Sequence, residues 1–339
     1  VAESHRTLGS SFFNQRNYAQ AIDEFKNAKS ISQRILEDFP DDITYQYDYA
    51  ELCNVMGLAL KESGKLDEAE RELQDSVKLK KTVVEKAGET LLHRQSLALS
   101  LHNLANVHGK QQEFEAANQC HQEAIAIRED LFRKNPEVVG VTLDLGGSLC
   151  DFGKMLVDNN QIEEGVQQLD RAIETLENLL QLHPQQNKAK VFLRNARQNR
   201  GFAHLRLENW GESVADFERA MELDDGANRI RLRQLRLICV SHLDPVKGIV
   251  AADELLRLDD LGPNDQFAAA RALAQISGTH SDDAARTNAA ERALKLLQSL
   301  YDAGIFRDLT AVNLEQHPEF RHLSENPAFK SLSDAIKKQ

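Results

Sequence analysis

One spacing constrains this chain more than any other feature: 48 residues. From Tyr18 the same step reaches Leu66, Phe114, Ile162 and Trp210, five large apolar residues in unbroken register. A second column, Gly9, Gly57, Ala105, Gly153 and Gly201, stays small. So does a third, Ala21, Ala69, Ala117, Gly165 and Ser213, and a fourth, Ala28, Ser76, Ala124, Ala172 and Ala220. Phe25, Leu73, His121, Leu169 and Phe217 form a bulky column, and the breakers Pro40, Gly88, Pro136 and Pro184 recur with the same period. Within each copy the apolar residues follow helical spacing, which predicts amphipathic helices. Small columns let two antiparallel helices approach; large ones fill the seam between them. Each such pair leaves an apolar face that only its neighbour can cover, so the pairs must stack. With 17 glycines and 7 prolines in 339 residues, the chain is poor in backbone breakers, as a mostly helical fold requires.

Leu8, Gly9, Phe12, Ala21, Phe25 and Ala28, with their images, follow L-G-x2-Y…A-x3-F-x2-A. This pattern resembles the tetratricopeptide repeat, whose usual length is 34 residues. The stretch 101–124 is similar to the longer variety of kinesin light chains. The 14 extra residues imply about two more turns in each helix. The expected fold is all-α: a right-handed α-solenoid of long tetratricopeptide-like hairpins over 1–260, followed by a helical C-terminal cap over 261–339. Five copies of period 48 are expected, then one shorter unit aligned on Cys239, Ile249, Ala252 and Leu256. In the cap, helices are predicted over 266–277 and 284–303, separated by a polar loop. The segments FAAARALAQ, ALKLLQSLYDAGIF and HPEFRHLSENPAFKSL look like the C-terminal region of planctomycete-type bacterial Ser/Thr protein kinases that carry such arrays. That resemblance implies a kinase domain upstream, with a membrane span between the two as a variant.

Composition narrows the function. A formal net charge of −12 argues against nucleic acid, where affinity comes largely from cations neutralising phosphates. No apolar run is long enough for a membrane span, and four cysteines form no disulfide framework. The polar opening VAESHRTLGSSFF starts inside a helical pattern, so the chain is expected to be a piece of a longer protein. A cytoplasmic location is expected, or an extracytoplasmic one if a membrane span precedes the repeats.

No catalytic constellation emerges. Asp151-Phe152-Gly153 spells the magnesium-binding tripeptide of kinases, but no Gly-rich phosphate loop or HRD-type catalytic loop accompanies it. Gly153 belongs instead to the small column. His102, His108, His121 and Cys120 fall within one copy and are expected to fill the seam rather than hold a metal. No cofactor is expected, and no enzyme. What remains is the concave face of first helices. Arg6, Asn54, Asn103, Asn106, Lys154, Gln198 and Asn199 flank the small column and are the expected lining of a peptide groove, since amide side chains both donate and accept. The resemblance to kinesin light chains likewise implies Asn at the column of Asn103 in the groove. The expected partner is a protein or an extended peptide; self-association as a structural spacer is the alternative.

Overall fold

The computed structural model describes residues 1–224, 226, 228–259, 261–307 and 314–337, and among these it is all-helical with no strand. The chain forms two compact units, 1–189 and 190–339. The first unit holds four helix pairs: α1 (Ala2–Asn14) with α2 (Tyr18–Asp38), α3 (Ile43–Glu62) with α4 (Leu66–Ala87), α5 (Leu91–Gln111) with α6 (Phe114–Lys134), and α7 (Val139–Asp158) with α8 (Ile162–Leu182). Each second helix begins on the large apolar column, at Tyr18, Leu66, Phe114 and Ile162, and ends one or two residues before Pro40, Gly88, Pro136 or Pro184. The full-length helices run 20 to 22 residues, the lengthening implied by the period. Asp42 caps α3 and Thr90 caps α5, their side-chain oxygens accepting from amides of the first turn.

The small column does what its periodicity requires. A Cβ built on Gly9 would stand 2.6 Å from the Phe25 ring, and one on Gly57 2.6 Å from Leu73 Cγ. At Gly153 it would lie 2.9 Å from the carbonyl oxygen of Gly165, so α7 and α8 touch backbone to backbone. Successive pairs pack in order, and α1, α3, α5 and α7 also touch side by side. Second helices are tied by ion pairs: Lys29 to Glu72 at 2.6 Å, Lys81 to Glu123 at 2.7 Å, and Arg171 to Glu129.

The turn inside each pair repeats as well. Arg16, Gly64, Gln112, Asn160 and Glu208, one every 48 residues, all have positive φ between 59° and 82°. This left-handed residue swings the chain back, and only one of the five is glycine.

In the second unit, α9 (Asn187–Arg206, of which 190 onward belongs here) and α10 (Trp210–Glu222) continue the register. Gly201 would clash with Phe217 at 2.8 Å if it carried a Cβ, and Arg197 and Arg200 both reach the buried Asp216, at 3.0 and 2.7 Å. The expected break at Asp224-Asp225-Gly226 falls just after α10; Asp225 lies outside the described residues. The shorter α11 (Arg229–Leu243) and α12 (Pro245–Leu256) follow, then α13 (Pro263–Thr279) and α14 (Asp283–Asp302). Only three residues separate these last two, fewer than the predicted loop, because α13 continues through Gly278. Three short 3-10 helices and α15 (Pro327–Lys337) complete a core that runs from Leu237 to Ile336.

Candidate functional site

The expected groove residues divide when placed in the structure. Asn54 and Asn103 are buried, 2% and 6% exposed. The Asn54 carboxamide oxygen accepts from Asn103 Nδ2 at 3.0 Å and from Ser100 Oγ at 3.1 Å. They are therefore not a groove lining but a clamp between two pairs. The reason is geometric: α3 and α5 lie side by side, so positions two and three residues before the small column meet the neighbouring first helix. Positions one residue after it, Asn106 and Lys154, stay accessible. Arg6 is half-exposed and ion-paired with Glu3 at 2.8 Å. Gln198 and Asn199 are partly buried on α9 in the second unit, so each is described apart from the other five.

Asn106 and Lys154 border one cavity of about 310 Å³ among α3, α5, α6 and α7. Lys61 and Lys110 stand at its walls, with Asp151, Asp158 and the ring of Phe114. Lys154 pairs with Asp158 one turn along its own helix, and Lys61 with Glu62 at 3.0 Å. His121 also lines the cavity. It is 1% exposed, and neither ring nitrogen has a hydrogen-bond partner among the described residues. Burial, aided by neighbouring His102, pushes its pKa down to about 3, so the ring is neutral at pH 7. It stacks on Phe152 at 5.2 Å. His102 Nε2 lies 3.2 Å from Asp151 and 3.1 Å from Asn106 Nδ2. Burial opposes ionisation of Asp151, yet the hydrogen bond from His102 holds its carboxyl below the usual range. The DFG residues contact their neighbours: Asp151, still exposed, on His102, Phe152 on His121, and Gly153 on α8.

Beneath this surface lies a polar network that sequence reasoning missed. Lys80, 1% exposed, reaches Glu51 at 2.8 Å, Ser100 Oγ at 2.8 Å and the Ser96 carbonyl at 3.3 Å. Forty-eight residues later Arg128, also buried, donates to Ser148 Oγ and to the Asp144 carbonyl at 2.9 Å. The signal was available: 80 and 128 share a column, as do 100 and 148, and a basic residue repeated inside an apolar stripe must find oxygen partners when buried. Two other clefts, both larger, hold less convergent chemistry. One of about 630 Å³ sets Arg229, Arg233 and Arg236 against Glu218, Glu222 and Glu254; the other, of about 580 Å³, lies at the ends of α6, α7 and α8.

Tetratricopeptide-repeat family models match the chain over residues 50–82 and 97–137; α3–α4 and α5–α6 are such repeats. No curated protein matches the sequence. Among solved structures the chain is similar to the Signal Transduction ATPase with Numerous Domains protein, with a tetratricopeptide repeat sensor, of Pyrococcus horikoshii. The identity is 14%, the TM-score 0.59, and the match covers 90% of this chain but only 43% of that one. It is also similar to BtubC of P. vanneervenii (13% identity, TM-score 0.53, 78% and 94% covered) and to the apo form of RapI (13% identity, TM-score 0.51, 99% and 97% covered). At these identities the likeness is one of fold: a tetratricopeptide-type helical solenoid. No helix among the described residues is long and apolar enough to cross a membrane.

Proposed function

We propose that the chain is a non-catalytic scaffold whose first-helix face, at the cavity between Lys61, Asn106, Lys110 and Lys154, holds an extended segment of a partner protein. Repeats of this type generally serve protein interaction. The observation that carries the site is the convergence of three ammonium groups and one carboxamide, against the two carboxylates of Asp151 and Asp158, on one cavity, in a chain whose net charge is −12. Lys110 is the lysine there that is not held by Glu62 or Asp158. The carboxamide suits main-chain groups of an extended peptide, and the lysines favour acidic side chains. Each such hydrogen bond contributes about 0.5–1.5 kcal/mol net, which places a short peptide in the micromolar range.

The finer reading, an interaction or sensor arm of a larger bacterial Ser/Thr protein kinase, is supported by the resemblance of the 267–332 segments. In the Pyrococcus protein a repeat array of similar fold is likewise a sensor within a longer chain.

Panning a random peptide library on the purified chain, followed by fluorescence anisotropy of the selected peptides, tests the site. Acidic peptides should bind micromolar, and the Asn106→Ala/Lys154→Ala double variant should bind about tenfold more weakly, or about 1.4 kcal/mol, with helicity unchanged. Equal affinity for the variant removes the site. Self-association with no peptide selected favours the spacer reading instead.

A further inference from the structure

At the turn between α5 and α6, whose Lys110 and Phe114 also wall the cavity just described, a separate set of three metal-ligating side chains from three elements converges. They are Glu70 of α4, His108 in the last turn of α5, and Glu113, the residue preceding α6. One ligand atom from each lies within 4.8 Å of the other two. His108 is 6% exposed, so its ring is pinned by packing, with Nδ1 2.7 Å from Glu113 Oε2. Gln111 Nε2 donates to Glu70 Oε2 at 3.1 Å, and Gln74 Nε2 to Glu70 Oε1 at 2.8 Å. Among the described residues no Lys or Arg pairs with either carboxylate. Two anionic groups thus face one imidazole with amides alone for support.

The arrangement belongs to one copy. In the column of His108 stand Phe12, Leu60, Leu156 and His204; in that of Glu113, Asn17, Lys65, Gln161 and Asn209; in that of Glu70, Ile22, Asn118, Val166 and Val214. Only the third turn places a histidine and two carboxylates together. Even His204, the other histidine of its column, has Asn209 and Val166 at the positions, 96 residues on, that hold the two acids of the His108 set. The left-handed Gln112, φ 64°, brings Glu113 back beside His108, and the Glu113 amide donates to the His108 carbonyl at 2.9 Å.

We infer that Glu70, His108 and Glu113 form a binding site for a divalent first-row transition cation, with zinc as its best occupant. One imidazole nitrogen and two carboxylates suit zinc, whereas magnesium and calcium favour oxygen-only shells. Tetrahedral ligands at about 2.1 Å from the metal stand about 3.4 Å apart. The two glutamates reach the surface and close that gap by side-chain rotation, while the buried imidazole serves as the fixed point. Three protein ligands leave a fourth position for water or for a ligand carried by a partner. For His108 this proposal replaces the expectation that the histidines of this copy only fill the seam.

The chain, stripped with a chelator, is titrated with zinc chloride by calorimetry, and cobalt(II) absorption reports the coordination. One zinc per chain is expected, undisplaced by millimolar magnesium. Glu113→Gln and His108→Leu should each weaken it at least tenfold. Because His108→Leu installs the residue present at Leu60 and Leu156, it should keep the circular dichroism spectrum of the parent. No saturable heat at millimolar zinc, or binding unchanged in both variants, overturns the site.

Discussion

At the scale of the residue, the left-handed turn column is the clearest case of one conformation serving many side chains. Arg16, Gln112, Asn160 and Glu208 accept a positive φ that costs a side-chain-bearing residue about 1–2 kcal/mol. Gly64 adopts it freely. Replacing Arg16 by glycine removes that strain but adds about 0.4–1 kcal/mol of unfolded-chain entropy. Arg16→Gly should therefore stabilise the first unit by about 0.5–1 kcal/mol, and Gly64→Ala should destabilise it by about as much. Urea unfolding midpoints check both signs. Asn160 should gain less from glycine, since asparagine tolerates this region better than arginine. The sequence shows turns at 64, 160 and 208 through Gly and Asn composition. Arg16 and Gln112 are visible as turn residues only because the period carries the conformation to them.

At the scale of the element, the third helix pair departs from the others in a way that ties packing to pH. Where the other pairs set glycine against Phe or Leu, this one sets Ala105 against His121. By the 48-residue register, the Cβ of Ala105 falls where Leu73 packs on Gly57, and an imidazole rather than a leucine stands opposite it. His121→Leu alone should destabilise the pair by about 1–3 kcal/mol through overpacking. Ala105→Gly/His121→Leu, which restores the Gly57–Leu73 pairing, should recover most of that loss.

The sign of the pH effect follows from the depressed pKa. His121 titrates near 6.5 in the unfolded chain and at about 3 in the folded one. Between these values the unfolded state binds the extra proton, so stability rises with pH across that window and falls as pH drops from 6.5 towards 3. The slope from this group is at most about 1.4 kcal/mol per pH unit. The double variant should lose that component, which unfolding at pH 7 and pH 4.5 separates from other titrations.

At the scale of the whole molecule, the paired helices were legible because their spacing is set by steric demands that recur in every copy. Gly, Ala and Ser columns must be small, and no surface charge disturbs that signal. The candidate site was legible only in part. Asn106 and Lys154 lie where the flanking columns put them, but Asn54 and Asn103 turn inward. A spacing relative to the small column tells which face of its own helix a residue occupies, not whether the next first helix covers that face. Lys80 and Arg128 also lie buried between pairs, signalled in the sequence only by their shared column inside an apolar stripe.

A single 48-residue register, with glycine at the closest helix contacts, sets the fold and the placing of both sites. Urea midpoints of Gly57→Leu, Gly153→Leu and Glu163→Gln test it most directly. A leucine at 57 would collide with Leu73, and one at 153 with Leu169 and the Gly165 carbonyl, whereas Glu163 is exposed and ion-pairs with no described residue. The account predicts losses of about 1–3 kcal/mol or more for the two glycine variants and a change within about 0.5 kcal/mol for the third; equal midpoints for all three would contradict it.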